Sequence, residues 1–294
     1  MTRLFLENDA IRVAILPDYG ARVVSLVGKG IGRDWIYGGG QSWNTGEDAV
    51  YGKEEAVGWD ECFPTVSAYQ AEATPWRRRL RDHGDLWGRP WQVEAQTPSE
   101  LTTAYTDPQF RFVRTLRVDG PSLIAEYRVE NMSAEPLPYL WAQHNLLAVS
   151  PGDRIEFAHA ACVTASFLSH RGKVVPTPVE FDWPGPDAGL PFPLDVVQPA
   201  STDLAGKFLV HGVPDRTVAL GRDGGWLTIT WDGVDDLGIW LTYGAWFGVY
   251  HLALEPQSFF ADHLGQASAR GASPLPPVGE ASWRTVMTVG PTRS

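Results

Sequence analysis

The chain has 294 residues, a formal charge of −11, 44% hydrophobic and 20% charged residues, a balance that excludes disorder. It also disfavours nucleic acid and anionic membrane surfaces as partners, because phosphate is bound by Lys and Arg. No run of eighteen apolar residues is present, the first residues lack a signal-peptide core, and Cys62 and Cys162 offer neither a disulfide framework nor zinc-ligand spacing. A soluble protein of the reducing cytoplasm is expected.

In chain order the hydrophobic pattern is period two almost throughout. Ile11, Val13 and Ile15 alternate with Arg12 and Ala14, and Pro17-Asp18-Tyr19-Gly20 turns the chain into Ala21–Val27, a predicted hairpin. Gly38–Gly58 is irregular, rich in Gly and acidic residues. Phe110–Val118 turns at Asp119-Gly120-Pro121-Ser122 into Leu123–Glu130. Val174–Leu204 is a second irregular stretch, with seven prolines. Loops this long often form the rim of a binding cleft. Trp226–Trp231 turns at Asp232-Gly233 and leads to Leu237–Tyr243; Tyr250–Glu255 and Ser282–Val289 complete the strands. Short strands between turn residues, with no long amphipathic helix, predict an all-β antiparallel sandwich or barrel. The strand pattern resumes unchanged after each irregular stretch, so one domain over 1–294 is expected.

Thirteen Trp, nine Tyr and twelve Phe fill such cores and can also stack on sugar rings. Four segments concentrate polar and aromatic residues that strands do not need. They are Gly58-Trp59-Asp60-Glu61-Cys62-Phe63-Pro64, Asp82-His83-Gly84-Asp85-Leu86-Trp87-Gly88, Trp141-Ala142-Gln143-His144-Asn145 and Leu252-Ala253-Leu254-Glu255-Pro256. In the last strand, alternation sets His251, Ala253 and Glu255 on one face and Tyr250, Leu252 and Leu254 on the other. The leucine face is core. The other leaves room over Ala253 for a ligand, although on the residues alone Glu255 beside Pro256 reads first as an exposed strand end. His144 closes an apolar strand, where a histidine is commonly structural, yet imidazole is also the side chain whose charge changes near neutrality. His83 lies between two carboxylates, and Gly84 suggests a turn that brings backbone close to a ligand.

With the hairpin N-x-x-I-R-V-A-I-L-P-D-Y-G-A-R at its start, this order of segments resembles the galactose mutarotase superfamily, particularly its aldose 1-epimerase branch, over nearly the whole chain. The resemblance implies a large antiparallel β-sandwich of the galactose mutarotase type (a supersandwich) and interconversion of sugar anomers. It implies Glu255 as general base, His144 as general acid to the ring oxygen and His83 as a sugar contact. Asp60, Trp59, Trp87 and His251 are the further expected substrate-binding residues. A small-molecule sugar is the expected partner, no metal or organic cofactor is expected, and a homodimer is left open. The better-studied galactose mutarotases place a sugar-contacting Arg where this chain has Asp60-Glu61, which leaves the identity of the sugar open.

Three rival readings remain at this level. A glycosidase would pair Glu255 with Asp60 or Glu61, at a carboxyl separation of ~5–9.5 Å. A non-catalytic sugar-binding module would need the aromatics but no acid–base pair. An epimerase for an anionic sugar could use Arg77, Arg79 and Arg81, on one face of a strand, to grip a phosphate or carboxylate, although a solvated loop explains that basic run as well.

Overall fold

The structure is a computed structural model and describes residues 1–38, 49–52, 54–159, 161–185 and 190–293. About half of it is strand and about 4% helix. Two antiparallel sheets, of twelve and eight strands, dominate, and a two-stranded ribbon joins Tyr69–Gln70 to Arg79–Leu80. No helix among the described residues is long and apolar enough to cross a membrane.

The alternating segments became strands where expected. Ile11–Leu16 pairs with Arg22–Gly28 across the Pro17–Gly20 turn, and Phe110–Asp119 pairs with Ser122–Asn131 over its full length. Tyr250–Gln257 runs two residues beyond Glu255, so Pro256 does not end the strand; it sits opposite Leu237. Val174–Leu204 is less irregular than its prolines suggest, because Lys173–Val174 and Val179–Asp182 both pair with Cys162–His170. Most of Gly38–Gly58 lies outside the described residues.

The turn at Asp232-Gly233 has a different role from a simple hairpin. Gly225–Asp232 pairs with Thr217–Arg222 and Glu280–Gly290 in the eight-stranded sheet. Asp236–Tyr243 instead lies between Leu204–Val210 and Tyr250–Gln257 in the twelve-stranded sheet. The three-residue span Gly233–Asp235 therefore crosses between sheets. It passes so close to the Glu280–Gly290 strand that a Cβ on Gly233 (φ +86°) would lie 2.9 Å from the Ser282 carbonyl oxygen, which only glycine avoids.

The centre of the larger sheet runs Arg22–Gly28, Trp59–Cys62, Ala142–Leu147, Tyr250–Gln257, Asp236–Tyr243, Leu204–Val210, Cys162–His170. From Trp59–Cys62 to Leu204–Val210 its strands are buried on both faces, and the faces differ in content. One presses Leu252, Leu254, Trp59 and Gln143 towards the eight-stranded sheet, where Gln143 Nε2 meets Met287 Sδ at 3.6 Å and Trp141 packs on Tyr127 and Trp283 at 4.9 and 4.7 Å. Each leucine fully buried there stabilises the sandwich by about 1.5–3 kcal/mol. The opposite face carries Asp60, His144, Lys207, His251 and Glu255.

Candidate active site

Register builds the site. Asp60 pairs with His144 across the Trp59–Cys62 and Ala142–Leu147 strands. On its other side Ala142 opposes Gln257 and Leu146 opposes Ala253, so the position midway, His144, faces Glu255. Glu255 in turn opposes Gly238. One row perpendicular to the strands thus reads Asp60, His144, Glu255, Gly238, and alternation turns all of these positions to the same face. Between the two central strands the Leu254 amide donates to the Asn145 side-chain oxygen at 3.0 Å.

Gly238 is the gap in that row. A Cβ there would stand 2.9 Å from Glu255 Oε2 and 3.0 Å from Lys207 Nζ. With no side chain in the way, Lys207 reaches across from the next strand, pairs with Glu255 Oε2, and lies 3.5 Å from Asp262. Burial alone pushes the Glu255 carboxyl up, but the Lys207 ammonium overcomes it and holds the group below its ordinary value. Its Oε1 is buried and has no hydrogen-bond partner. Glu255 is therefore an ionised carboxylate with one oxygen held and one free.

His144 is held from the other side. Asp60 Oδ1 lies 2.8 Å from His144 Nδ1, and the second Asp60 oxygen accepts from the buried Arg22 guanidinium. Burial opposes the Asp60 charge, yet Arg22 and His144 together lower its carboxyl. An anion at Nδ1 fixes the imidazole orientation and its Nδ1–H tautomer, leaving Nε2 for other chemistry.

Both groups line a cavity of about 290 Å³. His83 and His251 line it as well. His83 has φ +60°, stacks on Tyr51 at 3.7 Å, and has its ring centre 4.8 Å from that of His144. The Asp-His-Gly turn that carries it docks on the Phe-Pro segment: the His83 and Asp85 amides donate to Val66 and Phe63 carbonyls at 2.7 and 2.6 Å. A Cβ on Gly84 would sit 2.1 Å from the Phe63 carbonyl oxygen. The close backbone approach that Gly84 permits is therefore to Phe63, not to a ligand. His251 is fully buried, and neither ring nitrogen has a partner. Burial, then the nearby His144, push it down to about 3. A neutral imidazole with a free donor and a free acceptor suits a hydroxyl group.

No family model matches the sequence, and no curated protein matches it. Solved structures do. The Slr1438 protein from Synechocystis sp. PCC 6803 aligns with a TM-score of 0.71 at 17% identity, over 99% of this chain and 96% of its own. A provisionally named aldose 1-epimerase from Escherichia coli gives 0.70 at 15%, over 98% and 99%. A galactose mutarotase related enzyme from Lactobacillus acidophilus gives 0.68 at 15%, over 98% and 97%. The chain has the galactose mutarotase-like fold.

On this mutarotase-like fold, three residues expected to touch sugar stand elsewhere. Asp60 has both oxygens engaged and does not line the cavity. Trp59 is buried against Arg114, its indole N–H donating to Glu61, and Trp87 donates to the Asp82 carbonyl while Arg81 lies over its ring. The indoles that do line the cavity are Trp240, which neighbours Lys207 in register, and Trp246 in the loop that follows. Of the long Gly38–Gly58 stretch, Tyr51 and Ala56 reach the cavity.

The basic run is also away from it. Arg77 (φ +55°) pairs with Glu135 at the surface, and Arg81 donates to the carbonyls of Gly84, Asp85 and Trp87, bracing the His83 turn. Only Arg79–Leu80 is strand, so the shared strand face does not form. Neither rival carboxylate is available to Glu255, because Glu61 points to the opposite face and Asp60 is saturated. Lys207 was missed, although its signal was present: one charged residue inside the otherwise apolar run Leu204–Val210.

Among the described residues one donor set could approach a metal ion: Cys62, His83 and His144, whose ligand atoms lie within 4.8 Å of one another. Burial, then the negative Asp60 and Glu255, push the Cys62 thiol well up. A thiol kept protonated is a poor metal ligand, and His144 Nδ1 is already taken by Asp60.

Proposed function

We propose that the protein is an aldose 1-epimerase in which Glu255 and His144 open and close the ring of a sugar. The observation that carries this reading is their shared row: a lysine-held carboxylate with one free oxygen beside a carboxylate-oriented imidazole, both facing one cavity. Glu255 Oε1 takes the proton of the C1 hydroxyl while His144 gives one from Nε2 to the ring oxygen. The bond from C1 to the ring oxygen breaks, leaving an aldehyde at C1 and a hydroxyl on the former ring oxygen. Rotation about C1–C2 and the reverse transfers close the other anomer. One proton enters and one leaves, so the cycle is balanced with the two groups alone.

The remaining residues have supporting parts in this reading. Asp60 holds the His144 ring in place for the transfer and Lys207 keeps Glu255 charged. His251 and His83 meet ring hydroxyls, and Trp240 and Trp246 offer faces to the sugar ring. The test is anomer exchange measured by NMR at chemical equilibrium on a panel of hexoses and pentoses. Glu255→Gln keeps size and polarity but cannot accept the C1 proton, so it should bind sugar and lose roughly 10²–10⁴-fold in rate. Exchange at the wild-type rate in folded Glu255→Gln would leave a sugar-binding module or another base as the account.

A further inference from the structure

The ionisable groups of the site do not stop at Glu255. Past the gap at Gly238 stands the Lys207 ammonium and past that the Asp262 carboxyl, and both line the same cavity as Glu255 and His144. Asp262 is anchored by its own backbone, whose carbonyl accepts from the Ser67 amide at 2.8 Å. Its side chain is engaged far less. The one cation beside it among the described residues, Lys207 Nζ, lies 3.5 Å from Oδ1, well beyond the ~2.7–2.9 Å of a charge-assisted bond. Oδ1 is buried and makes no hydrogen bond, and the side chain keeps 21% of its surface open. Asp60, by contrast, has both oxygens filled by Arg22 and His144. Asp262 is therefore a second carboxylate of the cavity with accepting capacity unused, and it is spared the proton transfer because Glu255 already serves there.

The order of atoms in a sugar ring says what that carboxylate meets. C1 has two ring neighbours, the ring oxygen and C2. The ring oxygen belongs at His144 and the C1 hydroxyl at the free Glu255 oxygen. His144 lies on one side of Glu255, and Lys207 and Asp262 lie on the other. With two of three consecutive ring atoms placed, C2 falls on the Asp262 side. A hydroxyl on C2 has the proton that an unfilled carboxylate oxygen accepts.

We infer that Asp262 accepts the C2 hydroxyl of the substrate and selects 2-hydroxy aldoses over 2-deoxy aldoses. The choice of C2 rests on the epimerase reading; the capacity of Asp262 for a hydroxyl does not.

The test measures anomer exchange by NMR for glucose, galactose and ribose, each against its 2-deoxy form, in the wild-type chain and in Asp262→Ala. The same two sugars are compared in both proteins, so their different intrinsic reactivities cancel. The ratio of kcat/KM for the 2-hydroxy sugar to that for its 2-deoxy form should be about tenfold to a hundredfold larger in the wild type, the usual contribution of a hydrogen bond to a charged group. Asp262→Asn keeps the volume and an accepting oxygen but not the charge. It should lower the ratio part-way, and it carries the test if Asp262→Ala does not fold. Galactose against its 6-deoxy form is the control and should give one ratio in all three proteins. A 2-deoxy ratio unchanged in the folded variants overturns the inference. So does a 6-deoxy ratio that falls in its place, because Asp262 would then face the far end of the ring. If the wild type exchanges none of these sugars, while the ratio of their Kd values from saturation-transfer NMR still responds to Asp262→Ala, the epimerase reading fails and the hydroxyl contact stands.

Discussion

Asp60 and Glu61 are chain neighbours with the same functional group, and they sit on opposite faces of one strand. Glu61 points into the sandwich, where Arg114 from the other sheet, the indoles of Trp59 and Trp141 and the Tyr127 hydroxyl all donate to it within 2.8–3.1 Å. Every one of those partners is a donor, and neither Glu61 oxygen is left over for a ligand. Asp60 points the other way, onto a face that also carries groups with spare capacity: an unpartnered Glu255 oxygen and an unpartnered His251 ring. A buried polar cluster that is fully satisfied ties the sheets together. One that is incomplete is where a ligand can supply the missing partners.

That contrast can be broken by substitution. The largest separation is expected between Glu255→Gln, a rate defect in which Lys207 keeps Asp262 at 3.5 Å as a counter-ion, and Glu61→Gln. The latter leaves the buried Arg114 charge without its counter-ion and should cost roughly 3–5 kcal/mol of stability, read as a fall in the denaturant midpoint, while kcat per folded molecule holds. If Glu61→Gln lowered kcat in folded protein and Glu255→Gln did not, the two faces would have exchanged roles.

Lys207 sharpens the comparison, because it joins the site face as a charge partner rather than as a ligand group. Glu255 is held below its ordinary value, so activity should persist as pH falls and be lost only on passing below the usual carboxylate range. Removing the ammonium leaves burial unopposed. Lys207→Met should therefore move the acid limb of kcat/KM upward. An unshifted limb would mean that Lys207 does not set the charge of Glu255.

The smallest expected effect concerns metals. With the Cys62 thiol protonated and His144 engaged by Asp60, exhaustive chelation should leave anomer exchange unchanged, and elemental analysis of the treated protein checks that the metal is gone. Activity lost on chelation and restored by zinc would assign the Cys62, His83 and His144 set to a resident ion.

Much of this was legible in the residues alone. Period-two alternation and frequent turn residues carry the all-β class, because side-chain direction in a strand depends only on position. The same rule separates His251, Ala253 and Glu255 from Leu252 and Leu254, and the four motif segments single out His83, His144 and Glu255, which line one cavity. Alternation does not say which strand lies beside which, or in what register. The turn at Asp232-Gly233 therefore crosses between sheets without a signal to distinguish it from a hairpin. The Arg-rich run, Trp59 and Trp87 stand out by residue type, yet none of them lines the cavity. Lys207, Gly238 and Trp240 lie far from Glu255 or His144 along the chain, and they enter the site only because strand order and register carry them there. Local pattern determined which face each side chain takes; tertiary pairing decided which faces meet, since cross-strand contact depends on neighbours that sequence spacing does not encode.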